Sequence, residues 1–431
     1  MTSATRTRPG AQARPPAWPV VCVLALVVVG DFQFRLRDND QAVAGNADPF
    51  VLLEIATYAS VALFLFVRFR PRPRLRRTTK LVYLGYAYAA VLALSSVYSP
   101  FVAMAVVRAG QVAIVVALFR CVALHTDVRT PHRIAHAFAV LMAASVVLGV
   151  LVPFPRLPLQ QERFTWLHVH PVQAGEMLAI AVIVLAAYAI TKGIPRSGPR
   201  WQPGVYVILL AICGGGLLAT RTRGAVLGAA VGVAVVLWMR WRGARRFELI
   251  AVGTVLVALV LVSGADAIEA YFARGESLDQ LATLNARTDL WEHAFRLVGD
   301  HPLYGYGLTA SRGLFLESMG LGGGHNALVN LLVDTGILGA LAWLALLAGI
   351  GMAAVRLCRR TGPTRVDGIL VLAVLLGVMA NSIFTEGLGA PASAAFIWLY
   401  LLLAWVLRAR AVADTEDAEA AAANPRKARV R

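Results

Sequence analysis

Apolar residues in this chain fall in long runs, not in the alternation of half-buried strands or the narrow stripes of soluble helices. Twelve runs stand at about 17–34, 49–67, 81–99, 101–119, 134–152, 172–191, 203–220, 224–239, 247–266, 327–355, 367–385 and 392–407. A helix needs about 17–25 mainly apolar residues to cross the hydrocarbon core of a bilayer, so the runs predict an all-α, polytopic transmembrane bundle of about twelve spans. One long segment, 267–324, interrupts them. Its apolar positions Leu290, Trp291, Ala294, Phe295 and Val298 recur at helical spacing, and Asp289-Leu-Trp-Glu292 fits a capping box, so a structured external loop is expected there. After Ala411 the chain turns acidic and alanine-rich, then basic, which reads as a mobile cytoplasmic tail. The expected divisions are an N-terminal bundle of about nine spans over 1–266, the loop over 267–324, further spans over 325–410, and the tail over 411–431.

Composition agrees with a membrane solvent. Only 15% of the 431 residues are charged, 58% are apolar, and the mean hydropathy is +0.66. The net charge of +17 would suggest nucleic acid until the basic residues are located. With alternating spans, 30 of the 41 fall on one side and ten on the other, with Arg108 inside a span. Positive charge is retained in cytoplasmic loops, so both termini are expected in the cytoplasm. No basic domain interleaved with aromatics remains, so nucleic acid is not an expected partner. Cys22, Cys121, Cys213 and Cys358 lie in or beside apolar runs without a CxxC pair and read as buried small side chains. Ala42-Val-Ala44 resembles a signal cleavage site, but Asp31 to Gln41 is too long and too charged for one; an uncleaved first helix is expected.

Against this background a few polar groups stand out. Gly322-Gly-Gly-His-Asn326 brings an imidazole and a glycine-rich backbone to the start of an apolar run. Arg221 and Arg223 flank Thr222 where the chain turns back into the bilayer, and Arg163 and Arg287 lie on the same side. A guanidinium gives phosphate two parallel charge-assisted hydrogen bonds, so arginines at the outer interface suit a pyrophosphate with a lipid tail. The plainer reading is that they snorkel or bind lipid headgroups. His325 and Asn326 likewise have a plain reading as helix-start residues. A neutral imidazole near pH 7 can also accept a proton. Glu54, Arg108, Glu176 and Asp334 lie in or at the ends of spans; Arg108 is expected to pair with Glu54 or Glu176. No metal site is expected, Asp38-Asn-Asp40 lying in a short turn, and Gly305-Tyr-Gly307 lacks the strand–helix setting of a dinucleotide loop.

The ordered set of polar motifs resembles the O-antigen ligase and polymerase superfamily. Thr-Arg-Gly-Ala at 222–225 resembles its Ser-Arg-Gly element. The likeness continues through Arg287, Trp291, His301-Pro302, Gly305-Tyr-Gly307, His325-Asn326 and Asp334-Thr-Gly-Ile-Leu-Gly339, and covers about 203–345. The resemblance implies a metal-independent, cofactor-free glycosyltransferase on the external face, with a polyprenyl-diphosphate-linked oligosaccharide as donor. Membrane lipids and other polysaccharide-assembly proteins are its expected partners. By the same resemblance Arg223 and Arg287 hold the diphosphate and His325 activates an acceptor hydroxyl. Arg163, Asn326, Trp291 and His301 are further expected substrate contacts, and Arg221 is added to them only as the neighbour of the matched arginine. The chain departs from the pattern at Thr165 and Val172, where relatives often carry glycine and asparagine. His168 and His170 therefore either shape an acceptor site or cap the following span. Polymerisation of repeat units is the expected reaction, ligase-type transfer the alternative, and a lipid flippase the rival of another class.

Overall fold

A computed structural model describes residues 16–36, 48–69, 80–156, 162–191, 202–241, 245–248, 251 and 287–423. The described residues form helices α1 (Trp18–Asp31), α2 (Pro49–Arg68), α3 (Lys80–Ser95), α4 (Val102–His125), α5 (Arg129–Leu151), α6 (Pro171–Thr191) and α7 (Pro203–Ala219). They continue through α8 (Arg223–Arg240), α9 (Arg287–Asp300), α10 (Ala310–Met319), α11 (Ala327–Cys358), α12 (Gly362–Ser382) and α13 (Ala394–Ala423), with no strand. Eight of them, α2, α4, α5, α6, α8, α11, α12 and α13, are long and apolar enough to cross a membrane; α1, α3 and α7 are shorter apolar helices. The fold is thus an all-α, multi-pass bundle. The expected span at 247–266 lies outside the described residues, as do Asp38-Asn-Asp40, Ala42-Val-Ala44 and the loop up to 286.

Local chemistry starts and stops the helices. Asp48 accepts hydrogen bonds from the N–H groups of Phe50 and Val51 at 2.8 and 3.1 Å, with Pro49 at the first helical position of α2. Asn326 does the same for α11, accepting from Leu328 and Val329 at 2.9 and 3.1 Å. The expected capping box at Asp289 is displaced. Helix α9 starts at Arg287, Asp289 lies within its first turn, and Glu292 pairs instead with Arg296 at 3.3 Å. At the other extreme, α13 runs on through the acidic stretch to Ala423 where a mobile tail was expected. Alanine is a strong helix former, and Arg360 at the end of α11 holds Asp417 through two bonds of 2.5 and 2.6 Å.

The centre of the bundle is α6, α12 and α13, while α2 lies at the periphery with Leu63, Phe66 and Val67 exposed. Such an apolar outer face is stable only against hydrocarbon. Helix α8 packs extensively on α12 through a stripe of small residues, Gly224, Gly228 and Gly232. A Cβ at Gly228 would stand 2.6 Å from the Gly377 carbonyl oxygen, so the two backbones touch. The same stripe ends at Gly224, which lies against Phe384 and Asn381. This contact fixes the start of α8 beside the segment that follows α12.

Helix α11 is broken at Gly336, whose φ of 62° and ψ of −162° leave the α region. The backbone groups freed there are taken up by the segment 302–309. Tyr306 and Gly307 donate to the carbonyls of Val333 and Asp334 at 2.8 and 2.7 Å, and Ile337 and Leu338 donate to Pro302 and Leu303 at 2.9 and 3.2 Å. A break inside a membrane helix survives only when such partners are supplied. The Asp334 carboxylate then accepts from the N–H groups of Thr309 and Ser311 at 3.2 and 2.6 Å, capping α10 from outside. The motifs His301-Pro-Leu-Tyr-Gly-Tyr-Gly307 and Asp334-Thr-Gly336 are therefore two halves of one junction.

Candidate active site

Contacts between the helices sort their ends. One end gathers the C-termini of α1, α3, α5, α7 and α12 with the N-termini of α2, α4, α6, α8, α11 and α13. For example, Gly30 faces Ala392, Gly175 faces Thr222, and Asn326 Nδ2 donates to the Ile383 carbonyl at 3.1 Å. A cavity of about 460 Å³ opens at this end. Its wall includes Asp31, Arg108, His168, His170, Glu176, Arg312, His325 and Glu386.

His325 stands at the lip with its side chain 44% exposed. The loop that carries it is tied down on three sides. Trp291 Nε1 donates to the Gly324 carbonyl at 3.0 Å, the Gly324 N–H donates to Asn330 Oδ1 at 2.7 Å, and the His325 N–H donates to Glu386 Oε1 at 3.2 Å. Gly323, at φ 147°, passes so close to Glu386 that a Cβ would lie on its carboxylate. The His325 ring Nδ1 is 3.9 Å from Glu386 Oε1, an electrostatic neighbour and too far for a hydrogen bond. His325 itself takes φ 49°, in the left-handed region that side chains other than glycine avoid. The other non-glycine residues with positive φ among those described are Leu167, Arg221, Thr309 and Ala392, all at this end of the bundle. Backbone strain of this kind collects at functional sites, where the surrounding structure holds it.

The arginine turn adjoins the cavity without lining it. Arg163 donates from Nε to the Thr220 carbonyl and from Nη2 to Thr222 Oγ1, each at 2.9 Å, and Thr222 Oγ1 donates to the Pro171 carbonyl at 3.1 Å. Two of Arg163's donor groups thus brace the turn. Arg221 pairs with Glu162 at 2.5 Å, and Arg223, half-buried, opens α8. Arg287 is the first residue of α9, but its side chain lies outside the described residues. Asn326 is the cap of α11, and Trp291 supports the His325 loop. His301 packs edge-on against Tyr306 at 4.5 Å, away from the cavity wall. The structure therefore brings His325, Asn326 and Trp291 together, sets Arg163, Arg221 and Arg223 beside them, and leaves His301 in the α11 junction.

His168 and His170 both line the cavity, and His170 Nδ1 also accepts from the Val172 N–H at 3.2 Å, at the start of α6. Burial, then the Arg163 guanidinium, then His325 push the His170 imidazole down to about 4, so it is neutral at ordinary pH. Arg108 pairs with Glu54 at 3.0 Å, joined by Gln111. Glu176 instead accepts from Asn381 and Thr385 at 3.3 and 3.4 Å. Asp31, in the cavity wall, has its Oδ2 buried with no partner among the described residues.

Two groups of the wall escaped the sequence reading. Glu386 lies 61 positions from His325 and fixes it; Arg312 was only one of the ten basic residues counted on the smaller side. Burial lowers the Arg312 guanidinium and the Glu386 carboxylate raises it, an opposition that marks the two as electrostatic neighbours. A signal for Glu386 existed. Thr385-Glu-Gly-Leu-Gly389 closes an apolar run with an acid beside glycines, the mirror image of the glycine-rich loop before α11.

In sum this end offers an accessible imidazole beside a carboxylate, a polar chamber walled in part by Asp31 and Glu176, and an adjacent cationic turn suited to an anion. Residues 206–344 match the family described as O-antigen ligase. Over 143 residues the chain is 32% identical to an O-antigen ligase of Pseudomonas aeruginosa, a stretch amounting to 33% of each protein. The match therefore spans about a third of that relative's length. The segment 206–344 that carries this similarity contains the arginine turn, α9, the glycine-rich loop and His325.

Proposed function

We propose that this protein is a membrane glycosyltransferase that moves a glycan from a polyprenyl diphosphate onto an acceptor hydroxyl, polymerising the repeat units of a surface polysaccharide. The observation that carries this reading is the half-exposed His325 imidazole, pinned beside Glu386 at the lip of the cavity and next to the arginine turn. Basic residues support the orientation. The cavity end carries the smaller share of them, which under the positive-inside rule makes it external and both termini cytoplasmic.

In the proposed reaction the His325 imidazole takes the proton of the acceptor hydroxyl. The oxygen forms its bond to the anomeric carbon as the bond from that carbon to the diphosphate oxygen breaks. Polyprenyl diphosphate leaves with the electron pair, and Arg223 and Arg287 stabilise the charge that builds on it. Guanidinium groups supply the electrostatic help, so the scheme needs no metal ion, and a single displacement inverts the anomeric configuration. Glu386 steadies the imidazolium that forms. The acceptor saccharide occupies the chamber, where Asp31 and Glu176 accept from its hydroxyls.

Purified protein reconstituted with a defined lipid-linked repeat tests this. His325→Ala should abolish transfer while leaving donor binding intact, and Arg223→Ala and Arg287→Ala should weaken donor binding as well. Normal products from all three variants would refute the assignment, and retained anomeric configuration would refute the single displacement. Ladder-like products mark a polymerase. A single transfer to an added lipid, envelope polymer or protein marks a ligase, the second reading, which the activity named for the Pseudomonas aeruginosa relative favours. Donor supplied already on the external face separates either enzyme from a flippase, which would yield no transfer.

A further inference from the structure

At the end of the bundle opposite the cavity, a groove of about 270 Å³ runs between α3, α4 and α13. Its walls are apolar, with Val82, Val116, Phe119, Leu124, Leu403 and Leu407 facing the space. Along α13 it extends from Tyr400 to Asp414, about 21 Å at 1.5 Å per residue. Tyr400 closes its deep end by donating to the Gly85 carbonyl at 2.9 Å across to α3. Charge enters only toward the outer end. Arg120 lies over the Tyr86 ring at 5.8 Å, Arg408 donates to the Ala123 carbonyl at 3.3 Å, and Arg410 follows two residues on. Asp414 is the single acid in the lining, against these three arginines. Arg408 Nε is buried with no partner among the described residues.

We propose that this groove binds one anionic phospholipid, its acyl chain in the apolar slot and its phosphate among Arg120, Arg408 and Arg410. Three arguments select this occupant. The slot combines a hydrocarbon-lined length with cations at one end only, which is the polarity of a phospholipid and not of a water-soluble ligand. It opens between apolar helices of a membrane bundle, where lipid is the solvent, and basic pockets between such helices attract anionic headgroups. The chain's acidic stretch at this end, Asp414 to Glu419, is already part of α13, with Asp417 held by Arg360, and its other stretches flanking these helices are basic. The stretches 70–79, 192–201 and 424–431 each carry several basic residues and no acid. Guanidinium groups meet phosphate oxygens with paired hydrogen bonds, whereas a zwitterionic headgroup brings its own cation to the same place. The site is independent of the reaction at the other end of the bundle.

Native mass spectrometry of the detergent-purified protein, with dioleoyl phosphatidylglycerol or dioleoyl phosphatidylcholine added at equal concentration, tests this. The wild-type protein should retain one phosphatidylglycerol with roughly tenfold preference over phosphatidylcholine. The double variant Arg120→Ala/Arg410→Ala should lose that preference, because about five-fold per arginine over two arginines is enough to cancel it. Leu124→Trp, which fills the slot from a half-exposed position without altering charge, should remove the bound lipid altogether. Equal retention of the two lipids by the wild type would overturn the proposal, as would a double variant that keeps the preference. A wild-type protein with no bound lipid would also overturn it, since the groove would then be closed by the chain itself.

Discussion

The stripe Gly224–Gly228–Gly232 makes a quantitative prediction. Replacing Gly228 by alanine adds one methyl group 2.6 Å from the Gly377 carbonyl oxygen and 3.0 Å from Asn381 Cβ. Ordinary contact begins near 3.4 Å, so the methyl is too close by about 0.8 Å, the difference between 3.4 and 2.6. The nearer atom is backbone and cannot swing away; α8 and α12 must part. Overpacking of this kind costs roughly 1–3 kcal/mol. Gly214 in α7 is the control, because a Cβ there meets nothing within 4 Å. At such a helical position alanine stabilises by about 0.4–1 kcal/mol, through the lower entropy of the unfolded chain. The two variants carry the same chemical change and should differ in opposite directions, by roughly 1.5–4 kcal/mol in total. Unfolding of both in one detergent, by denaturant or heat, measures the difference. Parting α8 from α12 also shifts the start of α8, with Arg223, off Phe384 and Asn381, so Gly228→Ala should lower transfer and Gly214→Ala should not. Gly228→Ala as stable as Gly214→Ala would refute the backbone contact and with it the account of how the arginine turn is held.

Three further outcomes are expected. Glu386→Gln keeps an acceptor for the His325 N–H but removes the charge beside the imidazole and Arg312; steady-state transfer should fall about tenfold in kcat, worth about 1.4 kcal/mol, with donor binding unchanged. Asp334→Ala strands the N–H groups of Thr309 and Ser311 at the start of α10 and should lower stability in thermal melts by about 1–3 kcal/mol for each group, with Asp334→Asn recovering part of it. His170 has its folded value pushed from about 6.5 down to about 4, so between these limits the unfolded chain binds more protons than the folded one. Its contribution to stability is therefore present above about 6.5 and is lost as the pH falls towards 4, and His170→Gln should flatten that slope in unfolding curves taken across the interval.

Eleven of the twelve apolar runs coincide with helices; the remaining one lies outside the described residues. Hydropathy is legible because the solvent of each residue is imposed locally, span by span. The order Arg223, Arg287, His301-Pro302, His325-Asn326, Asp334-Thr-Gly336 was equally legible as a set, but the work of its members was not. His301, Gly305, Gly307 and Gly336 turn out to build the junction at the break in α11, where backbone groups 27 and 35 residues apart satisfy one another. Asp334 was legible as an acid in or at the end of a span, but not as the cap at the start of α10. Arg163 looked like a phosphate ligand, yet two of its donor groups brace the α8 turn.

The one-dimensional pattern of apolar and basic residues was enough for an all-helical membrane bundle, its approximate spans, and the two turns where polar chemistry concentrates. Each of those inferences depends on a property a residue has by itself or with near neighbours: its transfer into hydrocarbon, its charge, its effect on φ. Glu386 beside His325, the chamber with Asp31 and Glu176, and the arginine-rimmed groove between α3, α4 and α13 depend on which helices touch and in what register. That was decided by the close fit of glycine stripes and by the need to satisfy backbone groups at a broken helix. These are pairwise properties of distant segments, and no single stretch of the chain records its partner.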